Sequence, residues 1–373
     1  MVTRREFTKS LGRAVAAATL TPILGWAIDE PKVSAEAAKL YRESFILDGN
    51  ALASIGQFRW QDQEKELAAG IRESGVIAVK ATLGGAIGDF AMAVADIASA
   101  DRLIEKKPDL FLQVRTAADF DRARNEKKLG VIYSFESANM LEDKIERVEI
   151  FRGLGVRVMQ LTYNKRTPLG VGCLDGETDG LTELGRQAVA KMNELGVALD
   201  LSHSNTKTTA DGIAASTKPS VITHAGCRAV YQHPRNKEDR ELKALADKGG
   251  VVGIYMLPYL TASPKQPMLD DYLRHLEHAL KVCGEDHVGI GSDVPFFRAD
   301  DSDLAEMKKA AEKRKADGIA APGEDRPAYI PDLNTPRKME LIADALLKRG
   351  QKAAVVEKIL GANFRRVFGE IWS

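Results

Sequence analysis

Short apolar, β-branched runs alternate with longer stretches whose apolar residues recur every three or four positions, from about residue 45 almost to the C-terminus. The short runs have the pattern of buried strands, and the longer ones that of amphipathic helices. Strands are predicted at 45–48, 76–83, 131–135, 156–162, 197–201, 220–223, 251–255 and 288–291, with a ninth, outlying one at 110–114. Helices are predicted over 90–106, 141–153, 183–195, 239–248, 270–283 and 336–349; Ala188, Met192 and Leu195 show the spacing. Gly75, Gly130, Gly155, Gly196 and Gly250 each sit just before a strand, where a helix-capping glycine belongs. Repeated strand–helix units make a parallel sheet, and eight of them predict a closed (β/α)8 TIM-type barrel. An open doubly wound sheet is the alternative. It is weakened because no Gly-rich phosphate loop follows the first strand. No internal repeat or low-complexity linker interrupts the rhythm.

Two segments depart from it. Residues 294–335 follow a strand directly and are far longer than an ordinary connection of roughly 2–6 residues. Their middle, 304–316, is a Lys/Glu/Ala-rich helix with a solvated face. In a barrel this segment lies over the C-terminal face, which makes it a candidate lid. The N-terminus reads Thr3-Arg4-Arg5-Glu6-Phe7-Thr8-Lys9, then an apolar run over 14–27. That order is the twin-arginine export pattern, and the run is too short to span a bilayer, which needs about 20 residues. Val33-Ser34-Ala35 offers a cleavage site, so residues 1–35 are expected to be a signal segment and 36–373 one barrel domain. The implied partner is the twin-arginine machinery. The implied compartment is the bacterial periplasm, with a membrane tether if the signal is kept. This pathway exports folded proteins, often with a cofactor already loaded.

Composition narrows the function classes. The 373 residues are 44% hydrophobic, too apolar for a disordered chain, and 53 basic residues balance 53 acidic ones. A net charge of zero argues against nucleic acid or an anionic membrane as partner. Three cysteines, Cys173, Cys227 and Cys283, cannot form a disulfide-dense scaffold; they are expected as small buried side chains, with one disulfide and one leftover thiol as the alternative.

The chemistry of a barrel enzyme sits at the C-terminal ends of its strands. Glu136, His203, His224 and Asp293 each close an apolar strand. Two neutral imidazoles and a carboxylate form a zinc-binding set with a position left for water, and a further carboxylate can carry the proton. The other histidines read as structural or exposed: His275 and His278 as solvent-facing on a helix, His287 at the stability end of a strand. His233 lies in the loop Gln232-His233-Pro234-Arg235-Asn236, where Arg235 could clamp a substrate carboxylate with its planar fork.

These motifs carry a resemblance. Gly155-Val156-Arg157-Val158-Met159-Gln160-Leu161-Thr162, Gly180-Leu181-Thr182-Glu183-Leu184-Gly185, Asp200-Leu201-Ser202-His203, Thr223-His224-Ala225 and His233-Pro234-Arg235-Asn236 resemble the membrane (renal-type) dipeptidase family. So do Asp286-His287-Val288-Gly289-Ile290-Gly291-Ser292-Asp293 and 359–367. The family belongs to the amidohydrolase group of metal-dependent barrels, hydrolyses dipeptides, and commonly dimerises. The resemblance implies Glu136 as a metal-bridging carboxylate, His203 and His224 as ligands of one zinc, Arg235 and the adjacent Asn236 in substrate binding, and Asp293 as the acid/base.

Three departures stand out. The family's first strand ends Asp-Gly-His-Asn-Asp, whose His and last Asp bind a second zinc. Here Asp48-Gly49-Asn50-Ala51-Leu52 puts Asn50 and Leu52 at those positions. An amide is a poor zinc ligand and leucine is none, so one zinc per chain is expected. Tyr163 stands where the family has a substrate-contacting His, and is expected to polarise the scissile carbonyl. Val294-Pro295-Phe296 replaces the family's Phe-Asp-Gly. The expected function is an exported hydrolase of dipeptides or similar small amides. A degenerate relative acting in ligand binding or metabolite maturation is the alternative, and a reaction on a lactam, lactone or other non-peptide substrate is a third.

Overall fold

Parallel strands surround a core filled in two ways. The computed structural model describes residues 32–51 and 60–373, with side chains of the second segment from residue 64. The signal-like residues 1–31 and Leu52 therefore lie outside the described residues. Ser34, beside the expected cleavage site, caps helix α1 (Ala35–Glu43) by accepting a hydrogen bond from the Ala37 N–H.

The main strands are β1 (Leu47–Asp48), β2 (Ala78–Leu83), β4 (Leu129–Phe135), β5 (Val156–Gln160), β6 (Ala198–Asp200), β7 (Val221–Cys227), β9 (Val251–Ile254) and β10 (Val288–Ile290). They pair in that order, all parallel. β3 (Phe111–Gln113) lies off this path against β4, as expected for the outlying strand, and β8 (Asn236–Lys237) against β7. The first and last strands close the ring. The Gly49 N–H donates to the Ile290 carbonyl at 2.8 Å, and the Asp293 N–H to the Asn50 carbonyl at 2.7 Å. Asp48 clasps the seam, its carboxylate accepting from the Ser292 N–H at 2.8 Å and the Ser292 hydroxyl at 2.6 Å. The architecture is thus the (β/α)8 TIM-type barrel.

Strand alternation explains how the interior is filled. Residues two apart share a face. Ala78, Ile132, Val158 and Ala198 join the inner apolar cluster with Phe364, which projects from the C-terminal helix Asn363–Trp372. The cluster is possible because Gly49 and Gly289 leave room: a Cβ on either would lie 2.6–2.7 Å from the Phe364 ring. Two residues further along the same strands the face turns polar, with Lys80, Ser134, Gln160 and Asp200, all buried. One half of the barrel is an apolar plug, and the other half is a buried polar layer towards the C-terminal ends of the strands.

Several helices match their predicted spans, among them α3 (Phe90–Lys106) and α6 (Glu183–Leu195). The helix predicted over 141–153 is broken: Glu142 and Asp143 take positive φ, and only α5 (Arg147–Gly153) follows. Gly75, Gly155 and Gly196 have the left-handed backbone expected of caps. Gly130 does not, because α4 (Ala118–Glu126) already ends at Lys127 with φ 54°, which leaves Gly130 inside β4. Near Gly250 it is Gly249 that turns, with φ 80°. All three cysteines are free; Cys173 and Cys227 are buried and Cys283 is half-buried.

His275 corrects the sequence expectation. It is not solvent-facing but fully buried on α9 (Leu269–Cys283), because this helix faces β7 with it. Its Nδ1 accepts from the Cys227 N–H and its Nε2 donates to the Leu260 carbonyl. His278 is partly exposed beside Asp239, and His287 donates from Nδ1 to the Gly250 carbonyl. Burial lowers the His275 pKa to about 4. The unfolded chain then takes up a proton near pH 6.5 that the native state refuses until about pH 4, so this contribution is complete above pH 6.5 and is lost as pH falls towards 4. Between pH 7 and 4.5 it amounts to about 2 kcal/mol. Urea unfolding of wild type and His275→Gln at both pH values should show the smaller pH dependence in the variant; equal dependence would refute the assignment.

Candidate active site

The strand ends bring Glu136, His203 and His224 together, with ligand atoms all within 4.8 Å of one another. Glu136 follows β4 and His203 lies three residues beyond β6. His224 sits within β7, where the pairing with β9 slips between Ile222 and Ala225. His224 thus falls within that irregularity. The two imidazole Nε2 atoms are 3.0 Å apart, and Glu136 Oε1 is 3.9 Å from His224 Nε2.

The hydrogen-bond network fixes both tautomers. His203 Nδ1 lies 2.7 Å from Asn164 Oδ1, an acceptor only, so Nδ1 carries the proton. Thr223 Oγ1 gives its single proton to Asp200 Oδ2 at 2.5 Å, so it must accept from His224 Nδ1 at 3.0 Å. Both Nε2 atoms therefore present lone pairs towards each other, and that of His203 also accepts from Arg235 Nη2 at 3.1 Å. A shared proton does not relieve this, since burial, reinforced by the Arg235 charge, holds both rings well below the ordinary imidazole pKa. Two nitrogen lone pairs and a carboxylate oxygen facing one point fit a borderline-soft divalent cation such as zinc.

Asp200 organises the floor. Its Oδ1 accepts from the Ser202 N–H, the Ser202 hydroxyl and the Thr223 N–H. Its Oδ2 accepts from Thr223 Oγ1 and Gln160 Nε2. One carboxylate thus aligns the segments that carry both histidines. Asp293 adopts φ 57°, a left-handed backbone costly for a non-glycine residue, and its Oδ1 accepts from Asn50 Nδ2 at 2.8 Å. Burial first, then the Glu136 charge, raise its pKa well above the usual carboxylate range.

Asn50 lies inside the cluster with its amide orientation fixed. Nδ2 faces two carboxylates, Glu136 Oε1 at 3.0 Å and Asp293 Oδ1 at 2.8 Å. Oδ1 accepts from Lys80 Nζ at 2.7 Å. Sequence reasoning missed Lys80. The signal was there: a lysine inside a strand predicted to be buried on both faces has to be paired.

Tyr163 stacks on His203 with ring centroids 4.1 Å apart, and burial, then Glu136, keep its phenol protonated. Arg235 is buried; Nη1 donates to the Ser202 carbonyl at 2.5 Å and Nη2 to His203 Nε2 at 3.1 Å. It forms no ion pair with a carboxylate among the described residues. Asn236 is turned to another use. Nδ2 donates to the Tyr231 and Tyr259 carbonyls and Oδ1 accepts from the Tyr255 hydroxyl, so its side chain braces the loop.

Residues 294–335 pack against the loops at the strand ends. Asn164 Nδ2 donates to the Ile319 carbonyl, His233 Nε2 to the Pro322 carbonyl, and Arg326 to the carbonyls of Thr261 and Lys265. Their helix, α10 (Asp301–Ala316), is largely exposed. Asn164 therefore links His203 to the covering segment.

A barrel with this mouth is that of a metal-dependent hydrolase. The model of the membrane dipeptidase family (peptidase family M19) matches residues 57–312, and the chain belongs to that family. It is 28% identical over 267 residues to an uncharacterised Klebsiella pneumoniae protein from the pqqA 5′ region, covering 69% of this chain and 88% of that one. It is also 28% identical over 274 residues to the dipeptidase tcpJ of Claviceps purpurea, covering 72% of this chain but only 57% of that protein. Among solved structures, an amidohydrolase from Pseudomonas aeruginosa matches with TM-score 0.78 and 33% identity over 90% of this chain and 99% of that one. A Rhodobacter sphaeroides metallopeptidase, solved with a phosphinate mimic of L-Ala-D-Ala, shares the fold at TM-score 0.70 and 21% identity, covering 88% of this chain and 99% of that one.

Replacing Asn164 by Ala removes the acceptor that fixes the His203 tautomer. Affinity for zinc, read by competition with a chromophoric chelator, should fall about 10–100-fold. An unchanged affinity would show that Asn164 does not orient the ligand.

Proposed function

We propose that this protein is an exported hydrolase of dipeptides bearing a free C-terminal carboxylate, working with a single zinc ion at Glu136, His203 and His224. The observation that carries this reading is the pair of unprotonated Nε2 atoms beside a carboxylate, with a buried guanidinium that has no carboxylate partner among the described residues at the same place. When bound, the ion supplies Lewis acidity, lowering the pKa of water and polarising a carbonyl.

The chain's own groups do the rest. Arg235 binds the substrate carboxylate through its planar fork. Its Nη2 donates to the His203 lone pair, and an ion held there would leave that N–H free for substrate. Tyr163, held protonated, donates its O–H to the carbonyl oxygen of the scissile amide. Asp293 holds the proton taken from water and passes it to the leaving amine; its Oδ2 makes no hydrogen bond among the described residues. The dipeptide-mimic complex of the Rhodobacter relative agrees with this substrate class. The Arg4-Arg5 segment supports export to the periplasm after folding, which would let the ion be loaded in the cytoplasm.

A second reading has an observation in its favour. Asn50 presents N–H groups to Glu136 and Asp293, which favours a protein whose dipeptidase chemistry has been lost and whose pocket binds a peptide-like ligand. A dipeptide panel with free and amidated C-termini separates the two. Hydrolysis should occur on the free acids and fall to background in His203→Ala. Arg235→Met should raise KM for the acids by about 10²-fold, the size of one lost buried charged contact, and leave the amides unaffected. No cleavage of any dipeptide by zinc-loaded wild type would favour the binding protein.

A further inference from the structure

We infer that the Lys80 ammonium is a built-in cation occupying the place of a second metal ion beside Glu136, and that it limits the centre to one ion. The inference rests on the single-ion centre proposed above and concerns what holds it at one.

Lys80 is 0% exposed, at the middle of β2, with its head inside the polar half of the barrel. Three oxygens surround Nζ: Asn50 Oδ1 at 2.7 Å, Asp200 Oδ2 at 3.7 Å and Glu136 Oε1 at 3.8 Å. These come from β6 and from the ends of β1 and β4, the directions from which ligands would approach an ion. The remaining partner is turned the wrong way for a metal. An ammonium only donates, so Asn50 Oδ1 must face Lys80. Nδ2 must then face Glu136 and Asp293, where it donates to both. The carboxylates on this side meet N–H groups, and the amide oxygen that could have been a weak ligand is already taken.

Charge points the same way. The buried mouth holds the carboxylates Glu136, Asp200 and Asp293 against the cations Lys80 and Arg235. One dication at the histidines leaves a positive excess, suited to an anionic substrate. A second dication within a few ångströms of the ammonium would be repelled across a low-dielectric interior. Lost ligands alone would leave a gap that a partial restoration could refill; Lys80 fills it.

Lys80 is thus a positioning residue, holding Asn50, Glu136 and Asp200 in register without reaching substrate. Zinc per chain, by elemental analysis after equilibration with excess zinc and desalting, tests this. Wild type should hold one. Asn50→His/Leu52→Asp, which restores both first-strand ligand types but keeps Lys80, should still hold one. Adding Lys80→Met should raise the count to two. Two ions in the double variant would overturn the inference, as would one in a folded triple variant. If the triple variant does not fold, the double variant decides by itself. A wild type that takes up none would instead overturn the metal centre proposed above.

Discussion

The constraint on which this site depends is the gathering of Glu136, Asp200 and Asp293 in the buried mouth of a barrel. Two like charges about 4 Å apart repel by about 4 kcal/mol at the effective dielectric of a protein interior. The fold answers with counter-charges and donors fixed in place. Lys80 stands between Asp200 and Glu136, and Asn50 bridges Glu136 to Asp293. Asp293 responds by holding its proton more tightly than an ordinary carboxyl. Remove the ammonium and, among the described residues, Glu136 and Asp200 have no other lysine or arginine within ion-pair distance.

From Asp200 the same network runs upward. Its two oxygens collect five hydrogen bonds from Gln160, Ser202 and Thr223. That leaves Thr223 able only to accept from His224, which bares the lone pair of the ring at Nε2. Asn164 does the same for His203 and ties it to the covering segment. Ligand chemistry here follows from where the neighbouring side chains place their protons. It gives a physical reason for histidines 3.0 Å apart with no proton to share.

Much of this was legible in the sequence, for identifiable reasons. Period-two and period-three patterns placed the strands and helices because burial in this fold is nearly complete on the inner strand faces. Glu136, His203, His224 and Asp293 stood out because each is an ionisable residue ending an apolar run. What was hidden depends on contacts between distant strands. His275 looked exposed because a helical histidine beside charged residues has an amphipathic appearance, yet its partners lie 15 and 48 residues away. Asn236 was named from its neighbour Arg235, and its bonds to Tyr231, Tyr255 and Tyr259 could not be read from the sequence. Lys80 was visible as a letter in an apolar strand; its three oxygens come from residues 30, 56 and 120 positions along the chain.

The most direct test of the account is a crystal structure of the zinc-loaded protein with anomalous scattering recorded at the zinc edge. One peak per chain is predicted, between the Nε2 atoms of His203 and His224 and the Glu136 carboxylate, with Lys80 Nζ still against Asn50 Oδ1. A second peak beside Asn50, or a single peak away from the two histidines, would contradict it.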